Sequence, residues 1–231
     1  MPDPHEHPNE HPDAHAAWEE HYAAKPRVWS GRVNTRLAEI AAGLPPGRAL
    51  DLGCGEGADA IWLAEHGWNV VAVDVSDTAL ERVRAEALSR GVADRIDTRR
   101  HDLERGLPDG ICGGTPGGTF DLVSAQFLHS TVSMDRPAIL RAAAAVVAPG
   151  GSLLIVDHAA APPWATRMRD HEFPDAETVL AGLALDPDGW ERVRVGRVGR
   201  EARGPDGEQV ILDDSVMWLR RTGWPKRPAI V

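Results

Sequence analysis

Cysteine is nearly absent from this 231-residue chain, which contains only Cys54 and Cys112. One of the two lies inside a glycine loop, so no disulfide framework is implied and a reducing, cytoplasmic setting is expected. Long apolar runs are also missing, and none approaches the roughly 20 residues that a membrane span needs. The first residues lack the basic and apolar regions of a secretory signal, so none is expected. Basic charge is in deficit: 25 Lys and Arg stand against 35 Asp and Glu, a formal net charge of −10. An acidic domain repels a phosphate backbone, which makes nucleic acid a poor candidate partner. The locally basic end, with Arg220, Arg221, Lys226 and Arg227, reads as a solvated tail.

The length fits one domain, which at this size needs no covalent staples. Residues 1–13 are rich in Pro, His, Glu and Asp without an apolar period, and are expected to stay disordered. The histidines at 5, 7, 11, 15 and 21 are irregularly spaced and lack a cysteine to close a tetrahedral site, so no metal is expected. Residues 14–231 are expected to form the domain, with 14–44 as a helical lid. In that lid 14–24 reads as a helix carrying Trp18 and Tyr22 on one face, and 34–42 as a second helix capped by Asn34.

Beyond residue 44 the pattern alternates. Strands are expected at 48–52, 68–73, 95–100, 120–124 and 152–157. Helices are expected at 58–66, at 76 or 77 to 90, at 136–147 and at 176–183. Residues 104–119 read as a surface loop, and 149–151 (Pro-Gly-Gly) as a turn. Two last strands, 190–198 and 210–219, flank the turn 204–207 and form an antiparallel hairpin. The expected fold is α/β: a doubly wound, mostly parallel seven-stranded sheet with a C-terminal antiparallel hairpin.

The chemistry concentrates in Asp51-Leu52-Gly53-Cys54-Gly55-Glu56-Gly57, at the end of the first strand. Open parallel sheets bind ligands at the carboxyl ends of their strands. Asp74 ends the second strand, where a carboxylate can accept ribose hydroxyls. The third glycine comes too early for a dinucleotide fingerprint, and Asp51 would oppose a pyrophosphate but suit a cation. No Lys-Ser/Thr pair follows, which rules out a phosphate loop of the nucleotide triphosphatase type.

The stretch ALDLGCGEGADAIWLAEHGWNVVAVDVS resembles the signature of class I S-adenosylmethionine-dependent methyltransferases. The resemblance implies that Asp51, Gly53, Cys54 and Gly55 surround the methionine part of that cofactor. It implies further that Asp74 holds the ribose, Val75 lies beside the adenine, and Asp102 with Leu103 reaches the adenine amino group. Ser124, Ala125 and Gln126 would line the cofactor and the substrate entrance. Within the class the chain is most similar to the tellurite-resistance and thiopurine-type group. WEEHYAAKPRVWSGRVN resembles the lid of that group, with Trp29 covering the cofactor. The final hairpin departs from its pattern: Ala202-Arg203 stands where a His-Arg pair near the methyl group can occur, leaving Arg203 as a candidate.

Among the histidines, His129 and His158 each follow a sheet strand at the end where an acceptor should lie, and both are candidate catalytic residues. His66 and His101 read as structural, and His171 as a weaker candidate. Cys54 reads as a small side chain packed at the loop. The expected activity is methyl transfer to a small-molecule thiol, chalcogenide or other heteroatom, with S-adenosylhomocysteine as product. The alternatives are an O- or N-methyltransferase using a histidine base, and a non-catalytic cofactor-binding protein.

Overall fold

A computed structural model describes residues 13–111, 119–130, 132–165 and 172–223. The tail histidines at 5, 7 and 11, the core of the glycine-rich loop with Cys112, and His171, Lys226 and Arg227 lie outside the described residues.

Seven strands form one sheet: β1 Arg48–Leu52, β2 Asn69–Asp74, β3 Ile96–Arg100, β4 Phe120–Gln126, β5 Val147–His158, β6 Trp190–Arg203 and β7 Gln209–Arg221. Their order is β3-β2-β1-β4-β5-β7-β6. The first five are parallel, and β7 runs antiparallel between β5 and β6. The doubly wound sheet and terminal hairpin expected from the sequence are therefore present. From β1 the chain winds outward to β3 and then crosses to β4, so the order reverses between β1 and β4. The carboxyl ends of those two strands form the crevice where such sheets take ligands.

The helices are α1 Ala14–Ala23, α2 Thr35–Ala41, α3 Ala58–Glu65, α4 Asp77–Ser89, α5 Arg136–Ala145 and α6 Ala176–Leu183. Alternation along β1 feeds two cores. Leu50 and Leu52 pack with Ile139 and Leu140 of α5 and Leu183 of α6. Ala49 packs on the other face with Leu37 of α2 and Ile61 and Leu63 of α3. Trp68 is buried in that second core, and Trp62 packs against it. Ser76 caps α4 by accepting from the Ala79 N–H at 3.1 Å, as its position predicted.

Three expectations change. Asn34 sits at the N-cap position of α2 but makes no side-chain cap; its amide donates instead to Asp59 Oδ2 at 2.7 Å. Residues 149–151 are a bulge inside β5, not a turn before it. Phe120 pairs with Val147 and Leu122 with Ser152, so 148–151 loop out between the two pairs. The hairpin strands are longer than alternation predicted, because their half-exposed mixed residues blur the period while thirteen paired positions hold them together.

The third glycine of the loop has a packing reason. Gly57 has φ +79°, and a Cβ there would meet Val83 Cγ2 of α4 at 2.6 Å. Gly57→Ala is expected to cost about 1–3 kcal/mol of stability, from overpacking and left-handed backbone strain together. Chemical denaturation measures it, and an unchanged midpoint would show that α4 yields.

Candidate functional site

The crevice opens into a cavity of about 970 Å³ that reaches from the glycine loop to the ends of β4 and β5. Trp29, Asp51, Gly53, Cys54, Gly55, Asp74, Val75, Asp102, Leu103, Gln126, His129 and His158 all line it. Of the residues expected at the site, three are elsewhere. Ser124 and Ala125 are fully buried within β4, a central strand covered on both faces. Ser124 acts one step back, its Oγ accepting from Gln126 Nε2 at 3.0 Å. Arg203 ends β6, at the turn of the hairpin, and lines a separate cavity.

Carboxylates dominate the loop end. Asp51, Asp59 and Asp74 are all buried. Burial pushes the Asp51 carboxyl well above the usual carboxylate range, and the neighbouring Asp59 and Asp74 push it further. Burial likewise raises Asp59 against its two hydrogen bonds from Asn34, and raises Asp74 against those from Ser76, Gly55 and Val75. Asp74 Oδ2 accepts the Gly55 N–H at 2.8 Å and Oδ1 accepts the Ser76 N–H at 3.0 Å, which ties β2 to the loop. Among the described residues, Asp51 Oδ2, His101 Nε2 and Gln126 Oε1 are buried with no hydrogen-bond partner, and all three residues line this cavity. Buried polar atoms normally have partners, so these orphans mark places for ligand groups. A cation at this point would favour the ionised, accepting form of Asp51 against burial and its acidic neighbours.

The N-terminal segment closes over this end. Both Glu56 oxygens accept the Val28 N–H at 3.1 Å, and Oε2 also accepts the Trp29 N–H at 2.8 Å. Arg82 bridges Glu56 at 2.7 Å to the carbonyls of Tyr22 and Lys25. Burial opposes ionisation of Glu56, but the Trp29 and Val28 amides with Arg82 outweigh it and hold the carboxyl below its ordinary value. Trp29 Nε1 donates to Tyr22 Oη at 3.0 Å. Gly55 lies directly beneath, and a Cβ there would meet Tyr22 Oη at 3.0 Å and Trp29 Nε1 at 3.2 Å. Glu19 braces the same segment from α1, accepting from Ser76 Oγ and from the Thr78 N–H and hydroxyl. Cys54 stays a neutral thiol: burial raises its pKa, and so do Asp74 and Asp51.

The far end is built from imidazoles. His129 and His158 stack with ring centroids 6.5 Å apart, and Phe127 stacks on His158 at 4.4 Å. Phe127 holds the left-handed φ of +50°, a conformation costly for a side chain of this size and found preferentially at functional sites. His129 Nε2 lies 3.4 Å from Asp157 Oδ1. Arg136 clamps both Asp157 oxygens at 2.6 and 2.7 Å and donates to the Leu128 carbonyl at 2.9 Å. Burial keeps the His158 pKa below its ordinary value, with Arg200 acting in the same direction against Asp214 and Asp157.

Sequence reasoning did not single out Tyr22, Glu56, His101, Phe127, Arg136 or Asp157 for this site. Asp157 had a usable signal, since it lies next to the end of β5 beside the histidine candidate His158. Glu56→Gln is expected to loosen the segment over the loop, because hydrogen bonds to a charged acceptor are worth about 1.5–3 kcal/mol. Limited trypsin digestion checks it: cleavage after Arg27, the basic residue of this segment not followed by proline, should be about tenfold faster or more. Unchanged protection would mean that Glu19 and Tyr22 hold the segment alone.

The methyltransferase domain family matches residues 20–182. A 2-heptyl-1-hydroxyquinolin-4(1H)-one methyltransferase of Mycobacteroides abscessus is 24% identical over 89% of this chain and 89% of its own length. A 27-O-demethylrifamycin SV methyltransferase of Amycolatopsis mediterranei is 32% identical over 74% of this chain. The chain spans 61% of that relative's length, and less of most other curated relatives that it matches. In fold, it is similar to the N-methyltransferase NodS of Bradyrhizobium japonicum WM9 in complex with S-adenosyl-L-homocysteine. The TM-score is 0.63 at 20% identity, over 93% of this chain and all of that one. The orphaned Asp51 carboxyl, the glycine loop and Asp74 fit a nucleoside ligand that presents an ammonium group to the loop. The chain belongs to the methyltransferase domain family, and its fold and cofactor are those of the class I S-adenosylmethionine-dependent methyltransferases.

Proposed function

We propose that the protein methylates a hydroxyl group of a small molecule, with His158 as the base that takes the hydroxyl proton. The observation that carries this reading is the pair of imidazoles at the ends of β4 and β5, in the same cavity as the glycine loop. S-adenosylmethionine, when bound, supplies a methyl group on a sulfonium, which leaves as a neutral thioether. Asp51, Gly53 and Gly55 would hold its methionine part, Asp74 its ribose, and Val75, Asp102 and Leu103 its adenine. Tyr22 and Trp29 cover the loop at Gly55.

A good leaving group removes the need for an acid, so positioning and the state of the nucleophile decide the rate. A thiolate or chalcogenide is already reactive, and a histidine pair would add little for it. A hydroxyl gains from a base, and burial keeps His158 in the neutral form a base requires. The O–H proton passes to the imidazole while the oxygen lone pair takes the methyl carbon. Asp157, held by Arg136, positions His129 with its ring nearly parallel to that of His158. The tellurite-type acceptor has less support, because Ala202 and Arg203 lie in the other cavity. The relative named for 27-O-demethylrifamycin SV acts, by its name, at an oxygen.

The test is a panel of phenols, alcohols, amines and thiols scored by S-adenosylhomocysteine release. Hydroxyl acceptors are expected to turn over, and His158→Gln to lower kcat by about 10²–10⁴-fold. Because the His158 pKa is depressed, activity should persist below an ordinary histidine pKa of about 6.5 and fall only as pH drops through the lowered value. Turnover confined to thiols, or full activity in His158→Gln, would overturn the base assignment. Cofactor binding with no turnover at all would point to a sensor.

A further inference from the structure

A second cavity, of about 670 Å³, lies beside the first on the β6–β7 hairpin. The two share Gln126 and Phe127 as a common wall, and Arg32 reaches both. The shared wall is the segment that stacks on His158. The new chamber is lined by four arginines, Arg32, Arg36, Arg200 and Arg203, against two acids, Glu201 and Asp214. That local excess of positive charge stands out in a chain whose net charge is −10.

The arginines are not equivalent. Arg36 is buried and committed: its Nε lies 3.3 Å from Asp214, it donates to the Gly199 carbonyl at 2.7 Å, and it pairs with Glu39. Arg200 takes the other Asp214 oxygen at 3.0 Å. Asp214 is thereby satisfied by two guanidinium groups and adds no free acceptor. Arg32 and Arg203 are exposed, line the chamber and make no side-chain hydrogen bond or ion pair among the described residues. Guanidinium forks match carboxylates and phosphates in geometry as well as charge.

We propose that this chamber is an acceptor subsite for an anionic group, so that the substrate carries a carboxylate or phosphate on the far side of Phe127 from its reacting hydroxyl. Arg32 and Arg203 receive the anion, and Arg36 and Arg200 supply the background field. Phe127 and Gln126 divide the anionic arm from the hydroxyl beside His158. The inference rests on the reading that the acceptor reacts next to His158.

The full chain saturated with S-adenosylhomocysteine is titrated by calorimetry with 3-(4-hydroxyphenyl)propanoate, with its methyl ester, and with inorganic phosphate. The acid is expected to bind at least about tenfold tighter than the ester. Arg203→Gln, and Arg32→Gln with Arg203→Gln, should remove that preference while ester binding, which reports the folded cavity, stays the same. Phosphate that competes with the acid supports the shared anion site. Equal binding of acid and ester, no binding of the acid, or a preference that survives both variants overturns the proposal. So does phosphate binding that leaves the acid unaffected. These readouts do not require turnover: an acid preference without methylation would sink the hydroxyl reading and keep the subsite, whereas methylation of neutral acceptors only would do the reverse.

Discussion

Three aspartates, Asp51, Asp59 and Asp74, are buried within reach of one another around a loop that has almost no side chains. Burying like charges together is expensive, and the cost is met here in stages. Asp59 is satisfied by Asn34, and Asp74 by the amides of Gly55 and Ser76. Asp51 keeps one oxygen without a partner among the described residues. That unpaired acceptor explains why the loop suits a cationic ligand, and why the sheet offers it at the reversal between β1 and β4. A pyrophosphate at the same point would meet negative charge.

The remaining parts follow from holding such a ligand. A loop of glycines cannot enclose anything by itself, so the cover comes from the N-terminal segment, fastened by Glu56, Arg82 and Glu19. At the opposite end, Arg136 fixes Asp157 and Asp157 fixes His129, while Phe127 accepts a strained backbone and packs on His158. One end is therefore acidic and suits a cation, and the other is lined with imidazole and suits proton transfer. The hairpin contributes a third environment, rich in arginine, through a wall shared with the imidazole end.

Much of this was legible in the chain. Short strands, each stopping at Gly, Asp or a polar residue, mark the sheet and its ligand edge, and Gly53–Gly57 with Asp74 can be read directly as a candidate cofactor site. What escaped depends on contacts between distant residues. Glu56 reads as a spacer between glycines, yet its partners are Val28, Trp29 and Arg82, about 26 to 28 positions away. Arg136 reads as the start of a helix, although its guanidinium reaches β5. His101 reads as a structural residue before Asp102, and only the folded cavity reveals a nitrogen without a partner among the described residues. Pro149-Gly150-Gly151 has the composition of a turn, and pairing on both sides makes it a bulge. Ser124 and Ala125 sit on the right strand for the site, one step too deep.

The central claim is that the acidic glycine loop is a site for a sulfonium nucleoside and not for a dinucleotide. Calorimetric titration of the full chain with S-adenosylmethionine, followed by NADH, tests it most directly. The account predicts saturable one-site binding of the first and no competition from the second. No heat with S-adenosylmethionine at high micromolar concentration, or displacement by NADH, would contradict it.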